Sequence, residues 1–226
     1  MMKKMYLFWF LLAALTLNVF SQDAMNKNAA TTTKGISAEE ASKTALNVGA
    51  KMPAFSLSDS AGKIVNSDDL LKQGNLVVVF YRGAWCPFCN LYLRKLQENI
   101  SQIKAAGGNL VAISIENPDR SLAIAAKDKI DFTVLSDPNF TLARKFKIVY
   151  ELPPETNELY KSKGLDLATY NSTEKPELPL SATYVVNKKG EIVYAFLEPD
   201  YKKRAEPSAI IEALSKIKTD KMNAKK

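Results

Sequence analysis

Residues 75–97 read "NLVVVFYRGAWCPFCNLYLRKLQ", and they carry the decision about the fold. The stretch opens, from Asn75 to Tyr81, as an unbroken β-branched and aromatic run, the mark of a strand covered on both faces. Beyond the cysteines, Leu93, Leu96, Ile100 and Ile103 recur at helical spacing until the glycines of "AAGG" stop the helix. "NLVAISI", residues 109–115, follows at once as a second buried strand. Strand, helix and strand in this order make a parallel pair with a crossover helix.

Working outward, "AFSLSDSAGKIV" alternates and turns at Ala61 and Gly62, which reads as an N-terminal hairpin. After the central unit, "NPDRSLAIAAKDK" (residues 117–129) reads as a short helix, "FTVLSD" as a strand and "NFTLARKFKI" as a helix. The proline-bearing stretch 149–178 is an insertion with helical turns of its own, standing before the last hairpin. "ATYVVNKKGEIVYAFLE" is that hairpin, turning at Lys189 and Gly190, and "EPSAIIEALSKI" is an amphipathic closing helix. A mixed central sheet flanked by helices is an α/β sandwich of thioredoxin-like fold.

The chain start has a basic Lys3 and Lys4, an apolar run from Tyr6 to Phe20 and then a polar break. That is the layout of a secretory leader, residues 1–21, with Val19 and Ser21 small enough for a cleavage site. The run is short of the roughly 20 residues that a membrane span needs. Asn18 and the lack of a basic flank after Phe20 argue against an uncleaved anchor. The expected product is exported and soluble, periplasmic in a Gram-negative source, with no stable membrane insertion after cleavage. Residues 22–46 read as a flexible polar linker, 47–218 as one domain and 219–226 as a basic tail. Cleavage takes away two lysines and lowers the formal charge from +7 to +5, too little and too concentrated in the tail for a nucleic-acid surface.

Cys86 and Cys89 are the only cysteines, and there is no histidine. In an oxidising compartment such a pair is either a staple or a reactive dithiol with a dedicated reductant. A staple across so few residues closes almost no chain. Zinc is disfavoured because a site takes about four nitrogen or sulfur ligands, so no metal and no cofactor is expected. Without histidine, cysteine-histidine and serine-histidine couples are both excluded. Cys86 lies beyond the carboxyl end of a central strand and at a helix start, where Pro87 suits the first turn. Backbone N–H groups of Phe88 and Cys89, with the helix dipole, are expected to favour its thiolate. Cys86 is therefore the expected nucleophile and the accessible, low-pKa thiol, and Cys89 the deeper resolving thiol. Arg82 is either the nearest activating cation or a surface arginine on a turn. Trp85 is either a shield over the sulfur or a partly exposed aromatic.

Four segments, "VVVFYRGAWCPFCNLYLRKLQ", "VLSDPNFTLARKF", "LPLSATYVVNKKGEIVYAF" and "DYKKRAEP", resemble in this order the peroxiredoxin-like branch of the AhpC/TSA family. The Cys-Pro-Phe-Cys motif also resembles the Cys-Pro-Tyr-Cys of glutaredoxins. The resemblance implies a thiol-based antioxidant enzyme with a thioredoxin-like reductant protein as partner. It also shows departures. The family's proline and threonine ahead of the peroxidatic cysteine fall on Val79 and Gly83, and its peroxide-orienting arginine falls on Phe140. Either Arg82 or Arg204 substitutes, or peroxide is a poor substrate. The cis-proline that thioredoxins set against the dithiol falls on Ser181, with Pro179 two residues earlier.

In a thioredoxin sheet the last strand runs parallel to the one feeding the cysteines, which brings Asp200, Tyr201 and Arg204 toward the same edge. Arg204 is then either a steering cation or the partner of Glu206 in a local ion pair. Three functional readings follow: reduction of hydroperoxides through Cys86 and Cys89, exchange with protein disulfides by the same pair, or a redox-responsive binding module that recognises its partner through the 149–178 insertion.

Overall fold

The computed structural model of the chain describes residues 35–116 and 130–223. The leader, most of the linker and the helix expected at 117–129 lie outside the described residues.

Ser37 opens α1 (Ala38–Thr44) with a reciprocal cap: its hydroxyl accepts the Glu40 N–H at 3.2 Å and its own N–H donates to the Glu40 carboxylate at 2.8 Å. Ala41 is fully buried, and the Leu46 N–H donates to the Phe146 carbonyl at 3.0 Å. Residues 37–46 are thus part of the folded body, which corrects the expected linker boundary at 46. The cap, the buried Ala41 and Ala45, and the bond that the Ser42 hydroxyl gives to the Leu197 carbonyl hold the segment where apolar periodicity is absent.

β1 (Ser56–Asp59) and β2 (Ile64–Asn66) form the expected hairpin, with Gly62 at φ +79° in the turn. α2 (Ser67–Gln73), which the sequence reading passes over, buries Leu70. β3 (Asn75–Phe80) is buried at every position. The helical spacing after it is shared by two helices, α3 (Pro87–Glu98) and α4 (Ile100–Ala105), not one. Asn99 breaks the run at φ −104°, ψ 5°, and its side-chain amide donates to the Lys95 carbonyl at 2.8 Å.

β4 (Gly108–Ser114) and β5 (Thr133–Ser136) follow, then a 3-10 turn at Pro138–Phe140 and α5 (Thr141–Lys145). β6 (Val149–Glu151) and β7 (Glu177–Pro179) pair antiparallel at the neck of the insertion, with α6 (Pro154–Ser162) and α7 (Leu167–Asn171) between them. β8 (Thr183–Val186), β9 (Ile192–Phe196) and α8 (Pro207–Asn223) close the chain. Because α8 runs to Asn223, the tail expected from residue 219 begins as helix.

The main sheet has seven strands in the order β2-β1-β5-β4-β3-β8-β9. β3, β4 and β5 are parallel neighbours, and β8 is antiparallel to both β3 and β9. Two reversals make β9 parallel to β3, so the chain leaves β3, β4 and β9 at one edge of the sheet.

The period-two pleat of β3 divides the core. Leu76, Val78 and Phe80 join one cluster, where Phe80 meets Phe146 edge-on at 5.0 Å; Val77, Val79 and Tyr81 join the other, with Cys86, Cys89, Leu93 and Leu96. Each such aliphatic side chain contributes about 1.5–3 kcal/mol on full burial. Among the described residues, no helix is long and apolar enough to cross a membrane.

Candidate active site

The Tyr81 N–H still follows the β3 ladder, donating to the Ile113 carbonyl at 3.0 Å. Beyond it Arg82, Gly83, Ala84 and Trp85 turn the chain into α3. Cys86 is the N-cap residue and Pro87 opens the helix, where its missing N–H leaves no carbonyl unserved. The Cys86 carbonyl accepts the N–H groups of Cys89 at 3.0 Å and Asn90 at 3.1 Å.

Gly83 cannot carry a side chain. Its φ is +139°, and an added Cβ would stand 2.6 Å from the Trp85 indole nitrogen and 3.1 Å from the Glu116 carboxyl carbon. The threonine expected there by resemblance is thus excluded by the path of the turn. Glu116, just past the end of β4, accepts the Ala84 N–H at 2.7 Å and the Tyr170 hydroxyl at 2.6 Å. Asn90 grips the other side of the turn, donating to the Ala84 carbonyl at 2.8 Å.

Both cysteines are free thiols, Cys86 1% and Cys89 0% exposed. The expectation of an accessible Cys86 is corrected: the sulfur is packed into the core cluster that holds Tyr81 and Tyr92, with Trp85 against it. An oxidant must therefore displace part of that packing to reach it. The two thiols are strongly differentiated. Cys86 is lowered to about 6, first by the thiol of Cys89 donating a hydrogen bond to it, against the cost of burial, and then by the charge of Arg82, the Cys89 N–H and Arg204. Cys89 is pushed well up, by burial first and then by the proton it gives to Cys86. Of the N–H groups at the helix start, that of Cys89 adds to the lowering, after the neighbouring thiol and Arg82.

Arg82 is buried, 2% exposed, which excludes the surface reading. Its guanidinium carbon stands 4.1 Å from the ring centre of Tyr201, 4.9 Å from that of Trp85 and 5.7 Å from that of Tyr160. Nη2 donates to the Tyr160 hydroxyl at 2.7 Å, while Nε and Nη1 have no hydrogen-bond partner. Burial works against its charge, but Tyr150, Tyr160 and Cys86 outweigh that and hold its pKa raised. Among the described residues no carboxylate pairs with it, so the Cys86 thiolate is its natural counter-charge.

Arg204 reaches the site from the segment after β9. Its Nη2 lies 3.5 Å from the Cys89 sulfur, and its Nη1 donates to the Tyr201 carbonyl and, at 2.8 Å, to the Lys203 carbonyl. The alternative ion pair with Glu206 is not formed, because Glu206 binds Lys95 at 2.5 Å. Tyr201 also meets Phe88 edge-on at 5.6 Å, whereas Asp200 accepts the exposed Lys202 N–H at 3.0 Å. Trp85, half-buried, meets Tyr160 at 5.7 Å, and its indole N–H is unpaired. Ser181 is buried just before β8 with its hydroxyl unpaired, and no cis peptide occurs among the described residues. Phe140 is buried in the opposite core cluster from the cysteines.

Sequence reasoning missed Glu116, Tyr160 and Tyr170. Glu116 alone had a signal: an acid at the carboxyl end of a parallel strand lies at the ligand-facing edge of such a sheet. Among the described residues, no group of three or more histidine, cysteine or acidic residues is placed to hold a metal ion.

A model of the AhpC/TSA family matches residues 48–195. Over 103 residues the chain is 33% identical to peroxiredoxin Bcp of Escherichia coli K12, covering 46% of this chain and 65% of that protein. Over 142 residues it is 28% identical to the chloroplastic peroxiredoxin Q of Populus jackii, covering 61% and 66%. The chain thus spans just under two thirds of the length of these curated relatives. Among solved structures it is similar to peroxidoxin BcpB from Mycobacterium tuberculosis, with a TM-score of 0.60 at 18% identity over 77% of this chain and 97% of that one. A peroxiredoxin-like protein from Aquifex aeolicus gives 0.61 at 15% identity over 77% and 89%. At these identities the structural likeness bears on the fold alone.

Proposed function

The chain belongs to the AhpC/TSA family, and on that premise we propose that it is a thiol peroxidase working through Cys86, with Cys89 as its resolving thiol. One observation carries the reading: the charge of a buried guanidinium, two of whose nitrogens are unpaired, acts on a buried thiol lowered to about 6. The Cys86 thiolate attacks the outer oxygen of a hydroperoxide, the S–O bond forms, the O–O bond breaks, and the inner oxygen leaves as an alcohol after taking a proton. Nε and Nη1 of Arg82 are the donors suited to the peroxide oxygens and to the charge that builds on the leaving one. Arg82 thereby takes the part that the family gives to the position of Phe140.

Cys89 then attacks the Cys86 sulfenic acid. A disulfide forms, and the hydroxyl leaves as water with the Cys89 proton. A thioredoxin-like dithiol protein returns two electrons and two protons. That the relatives in Escherichia coli and Populus jackii are peroxiredoxins supports this reading. Exchange with protein disulfides is the second reading, favoured by the hydrogen-bonded dithiol and by the replacement of the family threonine with Gly83. Residues 1–21 as an export leader belong to the same proposal, and a secreted form whose mass begins at Gln22 is its check.

The test is peroxide consumption by the full chain with thioredoxin and its reductase supplied. Turnover that disappears in Cys86→Ser is expected. A wild-type rate no higher than that of Cys86→Ser, with hydrogen peroxide and with an alkyl hydroperoxide alike, removes the peroxidase reading.

A further inference from the structure

The β6–β7 insertion packs onto the site from outside the central sheet, and its contacts fall on the turn that carries Arg82. Among the described residues, Tyr160 on α6 accepts the one hydrogen bond that the Arg82 guanidinium gives, at 2.7 Å, and it sets its ring edge-on to Trp85 at 5.7 Å. Tyr150 on β6 stands near enough to influence the charge of Arg82. On α7, Tyr170 donates to Glu116, which holds the Ala84 N–H. The insertion thus grips the 82–85 turn at both ends.

A buried guanidinium on a flexible stem has several orientations available, and stacking on Tyr201 and Trp85 restrains its plane without fixing its rotation within that plane. A hydrogen bond to one terminal nitrogen supplies the missing restraint. With Nη2 fixed on Tyr160, Nε and Nη1 are the two nitrogens left without partners. We propose that Tyr160 is a positioning residue, whose hydroxyl fixes the rotation of the Arg82 guanidinium and so keeps the N–H donors of those two nitrogens turned to the reacting groups of the dithiol site. Among the described residues Cys89, Arg204, Tyr150, Tyr160 and Tyr201 are the other titratable or charged groups set against Cys86 or Arg82. Of these, Tyr160 alone hydrogen-bonds to the Arg82 guanidinium, while Cys89 meets only the Arg82 backbone N–H.

The proposal rests on Cys86 as the reacting sulfur but not on the identity of its oxidant, so its test is thiol titration by iodoacetamide alkylation, without peroxide. Tyr160→Phe keeps the ring and removes the hydroxyl. Its Cys86 titration is expected to move up by roughly half a unit to one unit, against about 1–3 units for loss of the guanidinium itself. In an Arg82→Met background the same change is expected to add nothing, as a double-mutant cycle requires of a residue acting through Arg82. Leu159→Ala, at an exposed neighbour on α6, is expected to titrate as wild type. A wild-type titration in Tyr160→Phe, or an equal upward shift in both backgrounds, overturns the proposal. Absence of peroxide turnover in the wild type would instead strike the peroxidase reading and leave this test standing.

Discussion

Arg144 and Arg82 both lie against aromatic rings, yet their surroundings are opposite. Arg144 is half exposed on α5, 5.5 Å from the Phe140 ring, with the Glu177 carboxylate at 2.5 and 3.3 Å. Arg82 is sealed among three rings, with no carboxylate paired to it among the described residues and two of its nitrogens without partners. The first is an ordinary surface cation, solvated and neutralised. The second keeps an uncompensated charge in the interior, which is tolerable only because an anion of the site itself answers it. The comparison also explains Phe140. That segment is committed to packing: Asp137 accepts the N–H groups of Leu142 and Ala143, both at 2.8 Å, and Phe140 takes a left-handed backbone, φ 57°, to bury its ring. An arginine there would project into the dry core on the sheet face away from Cys86.

The largest expected effect breaks that comparison from the packing side. Phe140→Arg, although it restores the family residue, buries an unpaired charge and removes a core ring. A loss of about 3–5 kcal/mol in urea unfolding is expected, with no gain in peroxide turnover. Arg82→Met comes next. The Cys86 titration should rise by about 1–3 units, and turnover should fall by about 10²–10³-fold. The sign is that of a depressed acid. In wild type, alkylation of Cys86 should rise through pH about 6 and level off well below the ordinary thiol range, whereas in Arg82→Met the rise should come at higher pH.

The central unit, the dithiol at a helix head and the approach of Arg204 were all readable from the sequence, because each follows from strand order and local spacing. Gly83 carried a hidden signal. Its departure from the family threonine was visible, but the reason, a Trp85 indole and the Glu116 carboxyl in the space of a Cβ, depends on the path of its own turn and on a segment more than thirty residues away. Tyr160 and Tyr170 had no signal at all. Nothing local tells a helical tyrosine in an insertion that it will face a buried arginine some eighty residues earlier. The capping box of Ser37 and Glu40 was legible in retrospect, and the break at Asn99 turned on one side-chain bond that periodicity does not encode.

Smaller effects sharpen the contrast. Arg204 touches the resolving sulfur, so Arg204→Ala should slow disulfide formation several-fold in rapid-quench measurements while moving the Cys86 titration less than Arg82→Met does. Arg144→Met should change thermal stability by no more than about 1 kcal/mol, as for most exposed ion pairs, and leave the titration of Cys86 untouched. An equal response to Arg144→Met and Arg82→Met would erase the distinction drawn between the two cages.

The central claim is that Cys86 is oxidised by peroxide and rescued by Cys89, and intact-mass spectrometry of Cys89→Ser tests it most directly. Without the resolving thiol, peroxide should leave Cys86 as sulfenic acid and, at higher dose, as the irreversible sulfinic acid. Abundant mixed disulfides through Cys86, lost on reduction, with no sulfenic or sulfinic product after peroxide, would contradict it and establish exchange with protein disulfides instead.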